Sequence, residues 1–451
     1  MHKLNLYDVA RCAGFNISQN AFFRGVSVDS RLHQPENLFF ALPGMKTDGH
    51  LFLKEIASKG AAGAVVKNDY QGPDYGLTLL HVEDPLESLQ NLGKEILRRS
   101  QSRVVAVTGS VGKTTTKDFI KTLLLEKFQV AASPGNSNSQ IGLPLAILNH
   151  TTGHEDIIVL EMGMTHQGNI RKLIHMAPPE CVVITSVAFV HACNFESLED
   201  IARAKAEILE HAHTQVAIIN CEMDHYDAIS KIGTCQKVSF AYNNPLTDYT
   251  LSPQQSDNYT VKFHEQIFHL GQFPIPGQHN QTNFLAAIAC VRYFGMDFEE
   301  IAAGMKKLVL PPLRWQTTEK EGIHFINDAY NSSPIAVKAA LMNIPTPKPG
   351  GCRVAVLADM LELGKFSEKS HREVGDYALN YVDRMFCYGT ESLYILDSWQ
   401  KANRPVQWFS QREELLHALK KDLKAGDVVL VKGSRGTQLS KLLDEWENLP
   451  K

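Results

Sequence analysis

Short apolar runs alternate with helical-period stretches along most of the chain, the pattern of parallel sheets covered by helices on both faces. In the first hundred residues the runs 38–42, 62–66 and 77–82 read as strands, and 86–99 as an amphipathic helix. Beyond a polar break at Ser100-Gln-Ser102, the runs 104–108, 156–160, 181–185 and 215–220 are rich in β-branched residues and too short for buried helices. A more polar, strand-like stretch over 248–270 departs from this rhythm and reads as an antiparallel excursion, after which a helix over 281–293 closes the region. The turn-rich segment Leu310-Pro-Pro-Leu-Arg314 introduces a third set of strands at 323–326, 353–357, 384–388 and 427–431. At 451 residues the chain is longer than one hydrophobic core supports. The pattern predicts an α/β protein of three domains in series, 1–100, 101–310 and 311–451.

The chemistry concentrates where the strand 104–108 runs into Thr108-Gly-Ser-Val-Gly-Lys-Thr-Thr115. Gly109, Ser110, Val111 and Gly112 form a tight strand-to-helix turn. Its backbone N–H groups, with those of a helix starting near Lys113, read as a phosphate cradle. Lys113 is expected on the terminal phosphates, Thr114 on Mg²⁺ and Thr115 in the first helical turn, with ATP or a relative as ligand. Val107 stands where the generic pattern has its first glycine, so the loop is a variant. A tight connection without nucleotide would explain the two glycines but not Gly112-Lys-Thr114 behind an apolar strand.

Three further side chains follow strands of the same region. Glu161 ends the run 156–160, and the carboxyl ends of parallel strands are where such sheets gather ligands, so it is a candidate Mg²⁺ ligand. His191 follows the run 181–185; alone, a histidine there is more often a hydrogen-bonded packing residue. Lys205 lies inside the apolar stripe Leu198, Ile201, Ala202, Ile208, Leu209 and Ala212 of a helix read over 197–212, opened by Ser197 with Asp200. An ammonium in that stripe is costly unless it is paired, loses its proton or snorkels to the surface.

Charge and cysteine content narrow the partners. With 45 basic and 49 acidic residues there is no net positive field for nucleic acid or a membrane surface. Eight cysteines are scattered without a C-x-x-C pair, as for thiols in a reducing compartment. The first ten residues lack the apolar core of a secretory signal, and no run approaches about 18 apolar residues. A cytoplasmic protein without membrane insertion is expected.

The motif order resembles the Mur ligases, ATP-dependent enzymes that build the peptide of bacterial cell-wall precursors. It comprises the phosphate loop, Pro134-Gly-Asn-Ser-Asn-Ser-Gln-Ile-Gly142, Glu161-Met-Gly163, His191, Ala204-Lys-Ala-Glu207, Pro276-Gly-Gln-His-Asn-Gln-Thr-Asn283, Arg314 and Asp328-Ala-Tyr-Asn331. Ser27-Val-Asp-Ser-Arg31, Asp48-Gly-His50, Leu357-Ala-Asp-Met-Leu-Glu-Leu-Gly364 and Lys432-Gly-Ser-Arg435 extend the likeness over all three domains. They point to the branch that joins D-alanyl-D-alanine to a UDP-N-acetylmuramoyl-tripeptide.

The resemblance implies a first domain for the UDP precursor, a central P-loop ATPase domain and a Rossmann-like third domain that binds the dipeptide and closes over ATP. It implies Mg²⁺ on Thr114 and Glu161, and a second Mg²⁺ involving His191 and a carbamylated Lys205. Asn283 is implied at adenine, Asp328 at ribose and Arg314 at the phosphates. Ser30, Arg31, Asp48 and His50 are expected at the UDP end, Asn136 and Asn138 near its diphosphate, and Asn331, Lys432, Ser434 and Arg435 near the dipeptide. A monomer is expected. Ser139, Ser332-Ser333 and Ala358 depart from the family pattern. Another amide ligase, Mur-type or folylpolyglutamate-type, and a nucleotide-driven switch are the competing readings.

Overall fold

A computed structural model describes residues 4–14, 21–44, 47–190, 192–253 and 258–446. The chain forms an α/β architecture whose principal sheets follow one another in sequence. The first is a four-stranded parallel sheet ordered Val26–Ser27, Leu38–Phe40, Gly63–Lys67 and Leu79–Val82. The helix Pro85–Ser100 follows, opened by the Asp84 carboxylate accepting the Leu86 and Glu87 N–H groups, with Pro85 in the first turn.

The central sheet has nine strands among the described residues. Its parallel part runs Gln236–Tyr242, Val216–Asn220, Cys181–Ile184, Arg103–Thr108, Ile157–Glu161 and Val130–Ala132 across the sheet. The stretch 248–270 resolves into Tyr249–Pro253, Asn258–Phe263 and Gln266–Gln272. The first of these pairs parallel to Gln236–Tyr242, and the antiparallel pairing expected there holds for the other two.

Both faces of this sheet are covered, so strand residues alternate between two cores. Val104, Ala106, Ile158, Leu160, Val182 and Ile184 face one, and Val105, Val107, Ile157, Val159, Cys181 and Val183 the other. The second core is roofed by Lys113–Leu124 and Gln278–Tyr293 through Phe119, Ile120, Leu123, Phe284 and Ile288. On the opposite side, Leu89, Leu92 and Ile96 of Pro85–Ser100 join the same cluster as Val104 and Leu160, which seats the first sheet's helix on the central one.

The third sheet has six strands, ordered Gln316–Lys320, Ile323–Asn327, Val428–Lys432, Arg353–Ala358, Arg384–Tyr388 and Val406–Phe409. All neighbours are parallel except the first pair. Among the described residues no helix is long and apolar enough to cross a membrane.

Candidate active site

Strand register assembles the site. Val107 lies opposite Glu161, and Thr108 opposite Ile184, so three strands deliver their carboxyl ends together. Beyond Thr108 the chain turns at two positions that only glycine fits. Gly109 has φ +151°, and a Cβ there would stand 2.0 Å from Thr185 Oγ1. Gly112 has φ +85°, and its Cβ would stand 2.4 Å from Asn283 Oδ1.

The turn is clamped from the segment after Cys181–Ile184. Ser110 N–H donates to Ser186 O (2.9 Å) and Val111 N–H to Ser186 Oγ (3.0 Å). Thr185 Oγ1 donates to Val111 O (2.6 Å), and Ser110 Oγ both donates to Ala188 O and accepts from Ala188 N–H, each at 2.8 Å. Two turn N–H groups expected to face phosphate are thus engaged within the protein. The donors for an anion are those opening the helix, ahead of its first internal bond from Thr116 N–H to Gly112 O (2.8 Å). Lys113 Nζ folds over the turn, donating to Gly109 O (2.8 Å) and Ser110 O (3.2 Å). Burial lowers its pKa from the ordinary lysine value, Glu161 opposes that shift and Arg314 adds to it.

Glu161 is buried and held from both sides. Thr114 Oγ1 donates to its Oε2 (2.7 Å) and Asn138 Nδ2 to its Oε1 (2.7 Å). A Cβ on Gly163 would lie 2.8 Å from the Asn138 amide, so that glycine makes room for the contact. Thr114 and Glu161 present hard oxygen donors of the kind Mg²⁺ takes. No group of three or more His, Cys, Asp or Glu side chains stands in metal-holding geometry among the described residues.

The third sheet contributes the opposite wall. Arg314 Nη2 donates to Thr114 Oγ1 (3.3 Å), and its guanidinium lies 4.5 Å over the Tyr330 ring. Leu313 and Trp315, on either side of Arg314, both adopt left-handed φ (+60° and +53°), a strained backbone at the junction that aims the guanidinium. Asp328 follows Ile323–Asn327 and Lys432 ends Val428–Lys432, neighbouring parallel strands. The Lys432 ammonium donates to Asp328 Oδ2 (2.5 Å), Asp328 O (3.2 Å) and Asn331 O (3.1 Å), while Trp315 N–H donates to Asp328 Oδ1 (3.2 Å).

Both walls enclose a cavity of about 390 Å³ lined by Ser110 to Thr115, Asn136, Asn138, Glu161, Asn283, Arg314, Asp328, Asn331 and Lys432. The sequence reading missed several members of its lining. Tyr330 OH, Ser332 Oγ and Ser333 Oγ are buried there without a hydrogen-bond partner among the described residues. Ser332 and Ser333 belong to the stretch 328–334 and depart there from the family pattern. His279 lines the same cavity, and burial lowers its pKa against the opposing charge of Asp328.

Other expected residues stand apart from the cavity lining. Lys205 is 3% exposed, and its ammonium makes no hydrogen bond or ion pair among the described residues. Burial pushes its pKa well below the ordinary value, and the charge of Lys113 pushes it the same way. Its helix, Leu198–Ala206, is shorter than 197–212. It tightens into a 3₁₀ turn at Glu207–Leu209, where the buried Glu207 carboxylate accepts the N–H groups of Gly168 (2.6 Å) and Arg171 (3.0 Å) and so caps Asn169–Met176. His191 lies outside the described residues.

On the first sheet, the Ser30 hydroxyl donates to Glu55 (3.0 Å), and exposed Arg31 makes a fork-like pair with Asp29 (2.9 and 2.6 Å). His50 accepts from Lys67 N–H at Nε2 (3.0 Å), so its proton sits on Nδ1, 2.6 Å from Asp48. Its ring stacks on Tyr70 with centroids 5.2 Å apart. Ser434 is buried with its Oγ accepting from Leu361 N–H (2.9 Å), and Arg435 is exposed at the start of the next turn.

Sheet topology, glycine turn and cavity define a nucleotide-binding α/β protein whose phosphate loop opens on a cleft shared by two sheets. Residues 107–291 match the Mur ligase middle domain and residues 313–435 the Mur ligase, glutamate ligase domain. The UDP-N-acetylmuramoyl-tripeptide--D-alanyl-D-alanine ligase of Bacillus subtilis is 34% identical over 440 residues, covering 96% of this chain and 95% of that protein. The Escherichia coli protein of the same name is 31% identical, covering 93% and 92%. Among solved structures, MurF from Acinetobacter baumannii superposes with a TM-score of 0.86 at 25% identity over 98% of each chain. MurF ligase from Thermotoga maritima in complex with ADP gives 0.78 at 28% identity over 94% of this chain and 97% of that one. The chain belongs to the Mur ligase family.

Proposed function

We propose that this protein is an ATP-dependent amide ligase that joins D-alanyl-D-alanine to the terminal carboxylate of a UDP-N-acetylmuramoyl-tripeptide, completing the pentapeptide precursor of peptidoglycan. The reading rests on one observation above all: Lys113, the Thr114–Glu161 pair, Arg314 and Asp328 line a single cavity. The names of the full-length relatives and the ADP complex of the Thermotoga protein support the substrates. ATP and a UDP-linked precursor as co-substrates favour the cytoplasm.

A carboxylate is a poor electrophile, so an oxygen of the tripeptide carboxylate attacks the γ-phosphorus of ATP and ADP leaves. The dipeptide amine then attacks the acyl carbon of that acyl phosphate, losing a proton as inorganic phosphate departs. The first step brings two anions together, and this chain's cations offset their repulsion. Lys113 swings from the loop carbonyls to the transferring phosphoryl group, and Arg314 reaches the same charge from the third sheet. Thr114 and Glu161 would hold Mg²⁺, which would supply further neutralisation of the phosphate charge. Asn283, beside Gly112, is assigned to adenine, and Asp328 to ribose.

Residues 1–100 are assigned to the UDP precursor through Ser30, Arg31, Asp48 and His50, with Asn136 and Asn138 nearer the diphosphate. Residues 101–310 hold ATP. Residues 311–451 close the cleft and receive the dipeptide near Asn331, Lys432, Ser434 and Arg435. Lys205 is assigned as a carbamate: its buried amine, favoured in the neutral form, attacks CO₂ and releases a proton, leaving an anion suited to Mg²⁺ together with His191.

Phosphate release is expected only when ATP, Mg²⁺, the UDP-linked tripeptide and D-alanyl-D-alanine are all present, and a coupled phosphate assay with single omissions checks this. Comparable release with a single amino acid in place of the dipeptide would move the chain to another branch of the family. Release without any amine would favour a nucleotide-driven switch.

A further inference from the structure

Lys117 is 1% exposed, on the helix Lys113–Leu124 and one turn beyond Lys113. Burying an ammonium is costly unless its donors are satisfied. Its Nζ donates to Ser133 O (2.6 Å) and Gly135 O (3.0 Å) and lies 3.3 Å from Asp118 Oδ1. Ser133 and Gly135 belong to the segment that leads from the edge strand Val130–Ala132 to Asn138.

That segment holds Glu161 twice. Ser133 Oγ accepts the Glu161 N–H (3.0 Å), and Asn138 Nδ2 donates to Glu161 Oε1 (2.7 Å). Its ends are tied down by Ser133 N–H to Val159 O (3.0 Å) and Gly163 N–H to Asn138 O (2.8 Å). The Lys117 ammonium grips the stretch between those ties and connects it to the helix whose first turn carries Thr114. Thr114 Oγ1 and Glu161 Oε2, 2.7 Å apart, are thereby positioned from both sides by one buried cation.

We propose that Lys117 is a positioning residue for the Mg²⁺ site: by anchoring residues 133–138 it sets the aim of the Glu161 carboxylate relative to Thr114. The inference rests on the assignment of Thr114 and Glu161 to Mg²⁺ under the proposed function. A lysine that merely fills space would be replaced by methionine without consequence for the metal, because methionine keeps a long apolar stem and loses only the donors.

The test is calorimetric ADP binding to the full chain, with Mg²⁺ and with EDTA, so that the readout is affinity rather than turnover. In the unsubstituted protein Mg²⁺ should tighten ADP; if it does not, the Mg²⁺ assignment itself fails. Lys117→Met should cut that Mg²⁺-dependent gain by about 10-fold or more, the loss typical when a supporting contact of a metal ligand is removed. Its affinity in EDTA should stay within about twofold of the parent. Lys117→Arg, which returns a cationic donor, should recover part of the gain. Asn138→Ala cuts the same chain of contacts nearer Glu161 and should show a similar loss. It carries the test if Lys117→Met does not fold. The double variant should be no worse than the poorer single one, since both act through one segment. A full Mg²⁺ gain in Lys117→Met, or in Asn138→Ala where the first variant is unfolded, overturns the proposal. Strictly additive losses in the double variant overturn it as well.

Discussion

Lys113→Ala should lower kcat by about 10²-fold or more while the protein keeps its fold, the scale expected when a preorganised charge aimed at a transition state is removed. The ammonium stands at the mouth of the helix with two loop carbonyls as its hydrogen-bond partners among the described residues, 2.8 and 3.2 Å away, and these it can exchange for phosphate oxygens. Lys113→Arg should not restore the rate, because a planar guanidinium does not fit a turn that packs against Thr185 and Asn283. Steady-state phosphate release, with circular dichroism to confirm folding, measures both. Near-normal release from the alanine variant would remove Lys113 from the chemistry.

Lys205→Ala should lose activity on a similar scale, and acetate or formate should restore part of it. The side chain is 3% exposed, has no hydrogen-bonding or charged partner among the described residues and lies close enough to Lys113 to feel its charge. Two cations buried near each other disfavour one another, and a neutral amine that takes up CO₂ turns the repulsion into attraction. A small carboxylate entering the vacated space supplies the same charge and the same hard oxygens. Rescue by short amines, or full activity of the alanine variant in CO₂-depleted buffer, would show that Lys205 is only a packed lysine.

The central and third sheets were legible where strands are buried on both faces, because runs such as 104–107 and 428–431 are apolar at every position. Other strands were harder to read. Gln236–Tyr242 mixes polar and apolar residues, the edge strand Gln316–Lys320 is polar throughout, and the edge strand Val130–Ala132 has only three residues. Their pairing is decided by a neighbour rather than by their own periodicity.

The phosphate loop could be read because its residues are contiguous. The contacts that shape it come from far along the chain. Thr114 meets Glu161 across 47 residues, Val111 meets Ser186 across 75, and Asp328 meets Lys432 across 104. The family resemblance proposed some of these partners but not the clamp at Ser186, the cap formed by Glu207 or the buried hydroxyls of Ser332 and Ser333. Those depend on burial and on hydrogen bonds that no local pattern records.

The mass of the product formed from ATP, Mg²⁺, a UDP-N-acetylmuramoyl-tripeptide and D-alanyl-D-alanine tests the account most directly. It predicts one new species heavier than the tripeptide precursor by the dipeptide less one water, with one ADP and one phosphate formed for each. An unchanged precursor despite ATP hydrolysis, or a product extended by a single amino acid in the presence of the dipeptide, would contradict it.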